Sequence, residues 1–166
     1  MGVPRKLGKI ATARLIEPVR SEMASPMNDL AVTVTAAPSA SELETIGGGL
    51  AAFNESDVGP ADRTPLAVVF RDDAGTIVAG ISGYTAWGWL YLQWLWVAET
   101  QRGEGLAGRM LALAEDEARS RGCHAAYIDT FNPVALKTYQ RAGYVPFGQL
   151  DDFPKGRTRT FLQKRL

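Results

Sequence analysis

The sequence predicts an α/β protein of the α+β type: a mixed, mostly antiparallel sheet flanked by helices, with one parallel strand pair at its centre. Three observations carry this expectation. Two apolar runs, Ile77 to Ala86 and Trp89 to Val97, meet at Trp87-Gly88-Trp89 and read as an antiparallel hairpin. From Leu106 the apolar residues Leu106, Met110, Leu113 and Ala114 recur at helical spacing. A further apolar run, His124 to Phe131, follows that helix, so it and the strand ending at Val97 are expected side by side and parallel.

Residues 1–29 read as a basic extension, and 30–166 as a single domain. The first 26 residues hold Arg5, Lys6, Lys9, Arg14 and Arg20 against Glu17 and Glu22, a charge of 5 − 2 = +3 in a chain of formal net charge +0. Scattered cations without interleaved aromatics are thin support for a nucleic-acid arm, and no nucleic-acid partner is expected. Ala31 to Ala36 reads as a first strand, and Ser39 or Ser41 starts a helix that Gly47-Gly48-Gly49 weakens. Phe53 to Pro65, rich in Gly, Pro, Asp and Asn, reads as a loop, with a short helix within it as the alternative. A strand at Leu66 to Arg71 and a turn at Asp72-Asp73-Ala74-Gly75 lead into the aromatic hairpin. Pro133 to Ala142 reads as a helix capped by Asn132, with Pro133 in the first turn, where its missing N–H does no harm. Strands near Tyr144 to Leu150 and Thr158 to Lys164 complete the sheet.

At 166 residues and 46% hydrophobic content, the chain suffices for one core and not for two ordinary domains. No stretch approaches the roughly 18–20 uninterrupted apolar residues of a bilayer crossing, and the N-terminus lacks the apolar core of a secretory signal. No membrane partner and a cytoplasmic location are therefore expected. The one cysteine, Cys123, opens an apolar strand and is expected in the core; with a single histidine, His124, no metal site is expected.

The segment between strand and helix carries the chemistry. Gly103 and Gly105 have no Cβ to obstruct a ligand, and the first-turn N–H groups of a helix starting near Glu104 have no intrahelical partner. Those amides, with the positive end of the helix dipole, suit a phosphate or pyrophosphate. Gly103 to Gly108 is also a literal G-x-G-x-x-G, with Asp129 at about the distance of a ribose-binding acid. Context argues against a dinucleotide: Ala98 to Arg102 separates the strand from the first glycine, and a hairpin, not a βαβ crossover, precedes it.

Arg102-Gly103-Glu104-Gly105-Leu106-Ala107 matches R-x-x-G-x-A, and so resembles the acyl-coenzyme A pyrophosphate motif of the GNAT superfamily of N-acetyltransferases. Asn132 to Tyr144, NPVALKTYQRAGY, resembles that superfamily's N-x-x-A-x-x-x-Y-x-x-x-G-[FY] segment, at the expected distance downstream. The resemblance implies a GNAT-like twisted sheet of six to seven strands whose parallel pair splays apart, with acetyl-CoA as cosubstrate. It implies that Leu95, Trp96 and Val97 offer backbone groups to pantetheine, and that Arg102, Gly103, Glu104, Gly105, Leu106, Ala107 and Gly108 hold the pyrophosphate. By the same carry-over Asn132 contacts the coenzyme and Tyr139 sits near its sulfur. The implied reaction is acetyl transfer to a primary amine. A small-molecule amine is the first expectation, with a protein amine or a non-catalytic acyl-CoA sensor as alternatives, and a homodimer left open.

Direct attack on the thioester sets three tasks. The amine must lose its proton, since a free alkylammonium titrates near 10.4. The oxyanion needs a donor, which a backbone N–H at the end of the Val97 strand supplies. The departing thiolate needs a proton donor, for which the Tyr139 phenol is suited. The position that carries glutamate in some GNAT enzymes is Tyr127 here, so Asp129 on the same strand face is the candidate base, against an equal case that it merely holds a loop; Glu99 is a weaker candidate. Strand alternation puts Trp89 and Tyr91 opposite Trp94 and Trp96, so one set is expected in the core. Glu55, Asp57 and Asp62 are expected on a loop, available to attract a cation.

Overall fold

The computed structural model describes residues 30–166, and the expectation for residues 1–29 lies outside them. Along the chain run α1 (Ala40–Val58), β1 (Thr64–Arg71), β2 (Ile77–Ala86), β3 (Trp89–Val97), α2 (Leu106–Ser120), β4 (Ala125–Thr130), α3 (Pro133–Arg141), β5 (Val145–Leu150) and β6 (Arg159–Arg165). The strands form one six-stranded sheet in the order β1-β2-β3-β4-β6-β5, antiparallel at every step except β3 to β4. This is the mixed α+β sheet that the hairpin and the shared helix predict.

Two elements at the start of the described chain depart from expectation. Residues 31–36 form no strand; among the described residues none pairs with their backbone, and Val32 and Val34 stand exposed. The loop expected from Phe53 onward is helical as far as Val58, so Glu55 and Asp57 lie on α1. Its start is strongly specified: the Ser39 hydroxyl accepts from the Glu42 N–H at 3.2 Å, and the Ser39 N–H donates to Glu42 Oε2 at 2.6 Å. This reciprocal cap and the αL stop at Gly59 (φ 83°) frame a helix across the three glycines.

The core lies on one face of the sheet. Met110, Leu111, Ala114 and Ala118 of α2 pack with Leu66, Ile81, Leu90, Leu92 and Ile128, and Tyr139 and Tyr144 close the α3 side. Cys123 is buried in this cluster, as expected, and burial raises its thiol pKa.

The central strands do not run together for their full length. β3 pairs with β4 only from Trp89↔Ala125 to Leu92↔Ile128, although β3 continues to Val97 and β4 to Thr130. Where the pairing stops, β3 bulges. Ser82 faces Trp94 while Gly83 faces Leu92, leaving Gln93 as the extra residue. Gly83 allows the close approach, since a Cβ there would overlap the Tyr91 carbonyl oxygen.

The bulge corrects the expected arrangement of tryptophans. One inserted residue shifts the alternation by half a period, so Leu90, Leu92, Leu95 and Val97 all face the core. Trp89, Tyr91, Trp94 and Trp96 then share the opposite face, and neither pair enters the core.

Candidate active site

The N-terminus of α2 is built as an open donor surface. After Val97 the chain makes a short 3-10 turn, Glu99–Gln101, and then passes through Gly103 (φ 89°) and Gly105 (φ 74°) before α2 begins at Leu106, not near Glu104. Both glycines have the left-handed backbone that a side chain resists, and neither has protein within 4 Å of where a Cβ would sit. No side chain caps the helix and its first turn holds no acid. The amides of Leu106, Ala107 and Gly108 precede the first intrahelical donor, Arg109, whose N–H bonds the Gly105 carbonyl at 3.2 Å. Arg102 folds back, its Nε donating to the Val97 carbonyl at 3.3 Å, and so ties the turn to the end of β3.

A cavity of about 690 Å³ opens in front of these amides. Val97, Arg102, Gly103 and Gly105 to Gly108 line its mouth, and Val134, Thr138 and Arg141 of α3 form its far wall. Arg141 and Thr138 were not singled out by motif, yet Val134, Thr138 and Arg141 follow helical spacing on one face of α3. Glu115 and Lys164 also line the cavity, with Lys164 Nζ 2.6 Å from a Glu115 carboxylate that is only 4% exposed.

The other sequence-predicted residues fall in three places. Leu95 turns its side chain into the core and Trp96 turns outward, so only their backbone is available at the splay. Glu104 is exposed on the turn. Asn132 caps α3, its Oδ1 accepting from the Val134 N–H at 2.9 Å, and borders a separate cavity of about 350 Å³.

Tyr139 and Asp129 are close enough to influence each other. Burial pushes the Tyr139 phenol up to about 12, and the negative charge of Asp129 adds to the shift. Asp129 Oδ2 accepts from Arg159 Nε at 2.5 Å, and the carboxylate side chain is 10% exposed. No local sequence signal marks Arg159, which sits 30 residues away and meets Asp129 across the β4–β6 ladder.

Beside Asp129 lies a cluster of rings. Tyr91 stacks on Tyr127 with centroids 4.5 Å apart, and Tyr84 meets Tyr91 edge-on at 5.5 Å. Burial raises the Tyr127 phenol to about 12 and also raises Tyr91. The Arg63 guanidinium lies 3.8 Å above the Tyr84 ring, so this face already holds one cation. His124, its ring 5.4 Å from that of Trp89, is exposed at the sheet's end. Asp62 is a loop residue with φ 47°.

Residues 37–144 match the family described as the acetyltransferase (GNAT) family. An acetyltransferase of Agrobacterium fabrum is 47% identical over 117 residues, covering 70% of this chain and 85% of that protein. The blasticidin-S acetyltransferase of Streptomyces morookaense is 37% identical over 95 residues, covering 57% of this chain and 70% of the relative. Among solved structures, one assigned as an acetyltransferase from Agrobacterium tumefaciens shares 41% identity at a TM-score of 0.79, covering 82% of this chain and all (100%) of that one. An acetyltransferase from Bacillus cereus shares 27% identity at a TM-score of 0.72, over 81% and 98% of the two chains.

Proposed function

This chain belongs to the GNAT acetyltransferase family, and we propose that it transfers the acetyl group of acetyl-CoA to the primary amine of a small molecule. One observation carries the reading: β3 and β4 part after Leu92, and β3 then runs on alone to Val97, toward an uncapped, glycine-turned helix N-terminus. The parted strands give pantetheine a slot between backbone edges, and Leu95, Trp96 and Val97 supply its hydrogen-bonding groups. The amides from Gly103 to Gly108 hold the pyrophosphate, with Arg102 and Glu104 shaping the turn and Arg141 supplying a cation from α3. Each such charge-assisted hydrogen bond contributes about 1.5–3 kcal/mol, enough for a strong site without a lysine. Asn132 orients the coenzyme at the start of α3.

The acceptor approaches from the aromatic face. Tyr84, Tyr91 and Tyr127 hold its ammonium form by their rings, and Asp129, steadied by Arg159, receives the proton that the amine must lose. The neutral amine attacks the thioester carbonyl, a β3 backbone N–H stabilises the oxyanion, and collapse breaks the C–S bond. Tyr139 is the general acid to the departing sulfur. With a phenol near 12 and an ordinary thiol near 8.5, complete transfer to the thiolate is uphill by roughly 5 kcal/mol, so Tyr139 acts chiefly through the hydrogen bond it donates. The blasticidin-S relative supports a small-molecule acceptor.

The test is thiol release from acetyl-CoA with a panel of small cationic amines and a lysine-bearing peptide. Turnover with a small amine supports the reading. Turnover only with the peptide moves the acceptor to protein, and none with any amine favours a sensor.

A further inference from the structure

We infer that this protein is a dimer in which two copies exchange α1, each helix covering the aromatic sheet face of the other copy. Four observations converge. First, α1 has no buried residue, yet Leu43, Ile46, Leu50 and Phe53 form a continuous stripe along it, each at least 56% exposed. Second, the helix contains Gly47, Gly48 and Gly49, and a Cβ at any of them would meet nothing within 4 Å. Three interior glycines cost a helix about 3 kcal/mol relative to alanine, and a bare helix of this length is marginal in water even without them. Its stability must come from packing that the described residues of its own chain do not provide, and the glycines leave a flat strip for close approach.

Third, the sheet face opposite the core is equally bare. The bulge turns Trp94 (74% exposed) and Trp96 (53%) outward onto it, next to Val69. Fourth, the charges complement. α1 carries Glu42, Glu44, Glu55 and Asp57 with no cation. The sheet face carries Arg63, Arg159 and Arg165, with Asp129 as the carboxylate among its strand positions.

Among the described residues the helix is fastened only past its C-terminal end, where Trp87 Nε1 donates to the Gly59 carbonyl at 3.2 Å and the Trp87 N–H to the Ala61 carbonyl at 2.9 Å. Each chain thus offers one donor stripe and one acceptor face, which a two-fold exchange satisfies together. A 19-residue helix presents a strip of about 28 by 10 Å; covered on both sides in both copies, it removes on the order of 1,100 Å² from water, near the lower bound of a stable interface. The roof over Tyr84, Tyr91 and Tyr127 is then supplied by the second copy.

The test is light-scattering mass of the full chain at micromolar concentration, for the wild type and for the Ile46→Asp/Phe53→Asp variant, with acetyl-CoA binding measured on both. The expected wild-type mass is twice 18.0 kDa, falling to one chain in the variant with coenzyme binding retained, which separates this proposal from the catalytic reading. A wild-type monomer overturns the exchange, including one whose α1 amides are protected by closing on their own sheet. So does a dimer that the variant leaves intact.

Discussion

Tyr139 is where fold and chemistry meet in one side chain. Its burial in the core raises the phenol to about 12, so the hydroxyl keeps its proton at every working pH, as the proposed donor role requires. Replacing Tyr139 with Phe is expected to lower kcat by about 10²- to 10⁴-fold while the acetyl-CoA Kd stays within twofold, a split that stopped-turnover kinetics and calorimetry resolve. The same shift has a stability signature. Folding raises this pKa from about 10, so the contribution is complete below pH 10 and is lost as the pH rises through 12, an amount on the order of 2–3 kcal/mol. Urea midpoints measured across that window should fall less steeply for Tyr139→Phe. Asp129→Asn tests the base: an unchanged pH–rate profile removes it from that role. The Glu115–Lys164 pair makes a separate prediction. Lys164→Met leaves a buried carboxylate with only Arg119 nearby, at 3.6 Å, and should cost about 3 kcal/mol in urea unfolding, which Glu115→Gln added to it partly restores.

At the scale of elements, the bulge at Gln93 sets the functional geometry. It lies where the β3–β4 ladder ends, beside the proposed slot, and it puts two tryptophans on the outer face. Deleting Gln93 removes the extra residue and restores simple alternation, with Leu92, Leu95 and Val97 still facing the core and Trp94 and Trp96 still outward. The expected loss is under about 1.5 kcal/mol, read from denaturant unfolding, and a loss of more than about 3 kcal/mol, as a reversal of the two faces would give, would contradict the assigned register. This feature was not legible in the sequence, because a bulge depends on how Gly83 meets Tyr91 across the ladder and leaves no periodic trace. The turn before α2 was legible to within two residues, since glycine spacing and helical periodicity are both local. The fate of Phe53 to Val58 was not: the Ser39–Glu42 cap and the neighbouring helical turns outweigh a loop-like composition.

For the molecule as a whole, six strands were readable from apolar runs and turns, and the parallel pair from the helix its strands share. The glycine turn before α2 and the helix that carries Tyr139 were legible from two short motifs, although Tyr139 does not line the cavity in front of that turn. The partners that complete the site were not visible, because Arg159, Arg141 and Lys164 reach it through tertiary contacts. Among the described residues no helix is long and apolar enough to cross a membrane. In the proposed function the glycine-turned start of α2 holds the coenzyme's pyrophosphate. Calorimetric titration of acetyl-CoA into the wild type and a Gly105→Glu variant tests it most directly, because a glutamate there puts a Cβ at φ 74° and a negative charge before the free amides. The account predicts one coenzyme bound per chain and at least tenfold weaker binding by the variant, with the variant still folded by circular dichroism. No binding by the wild type, or equal binding by both, would contradict it.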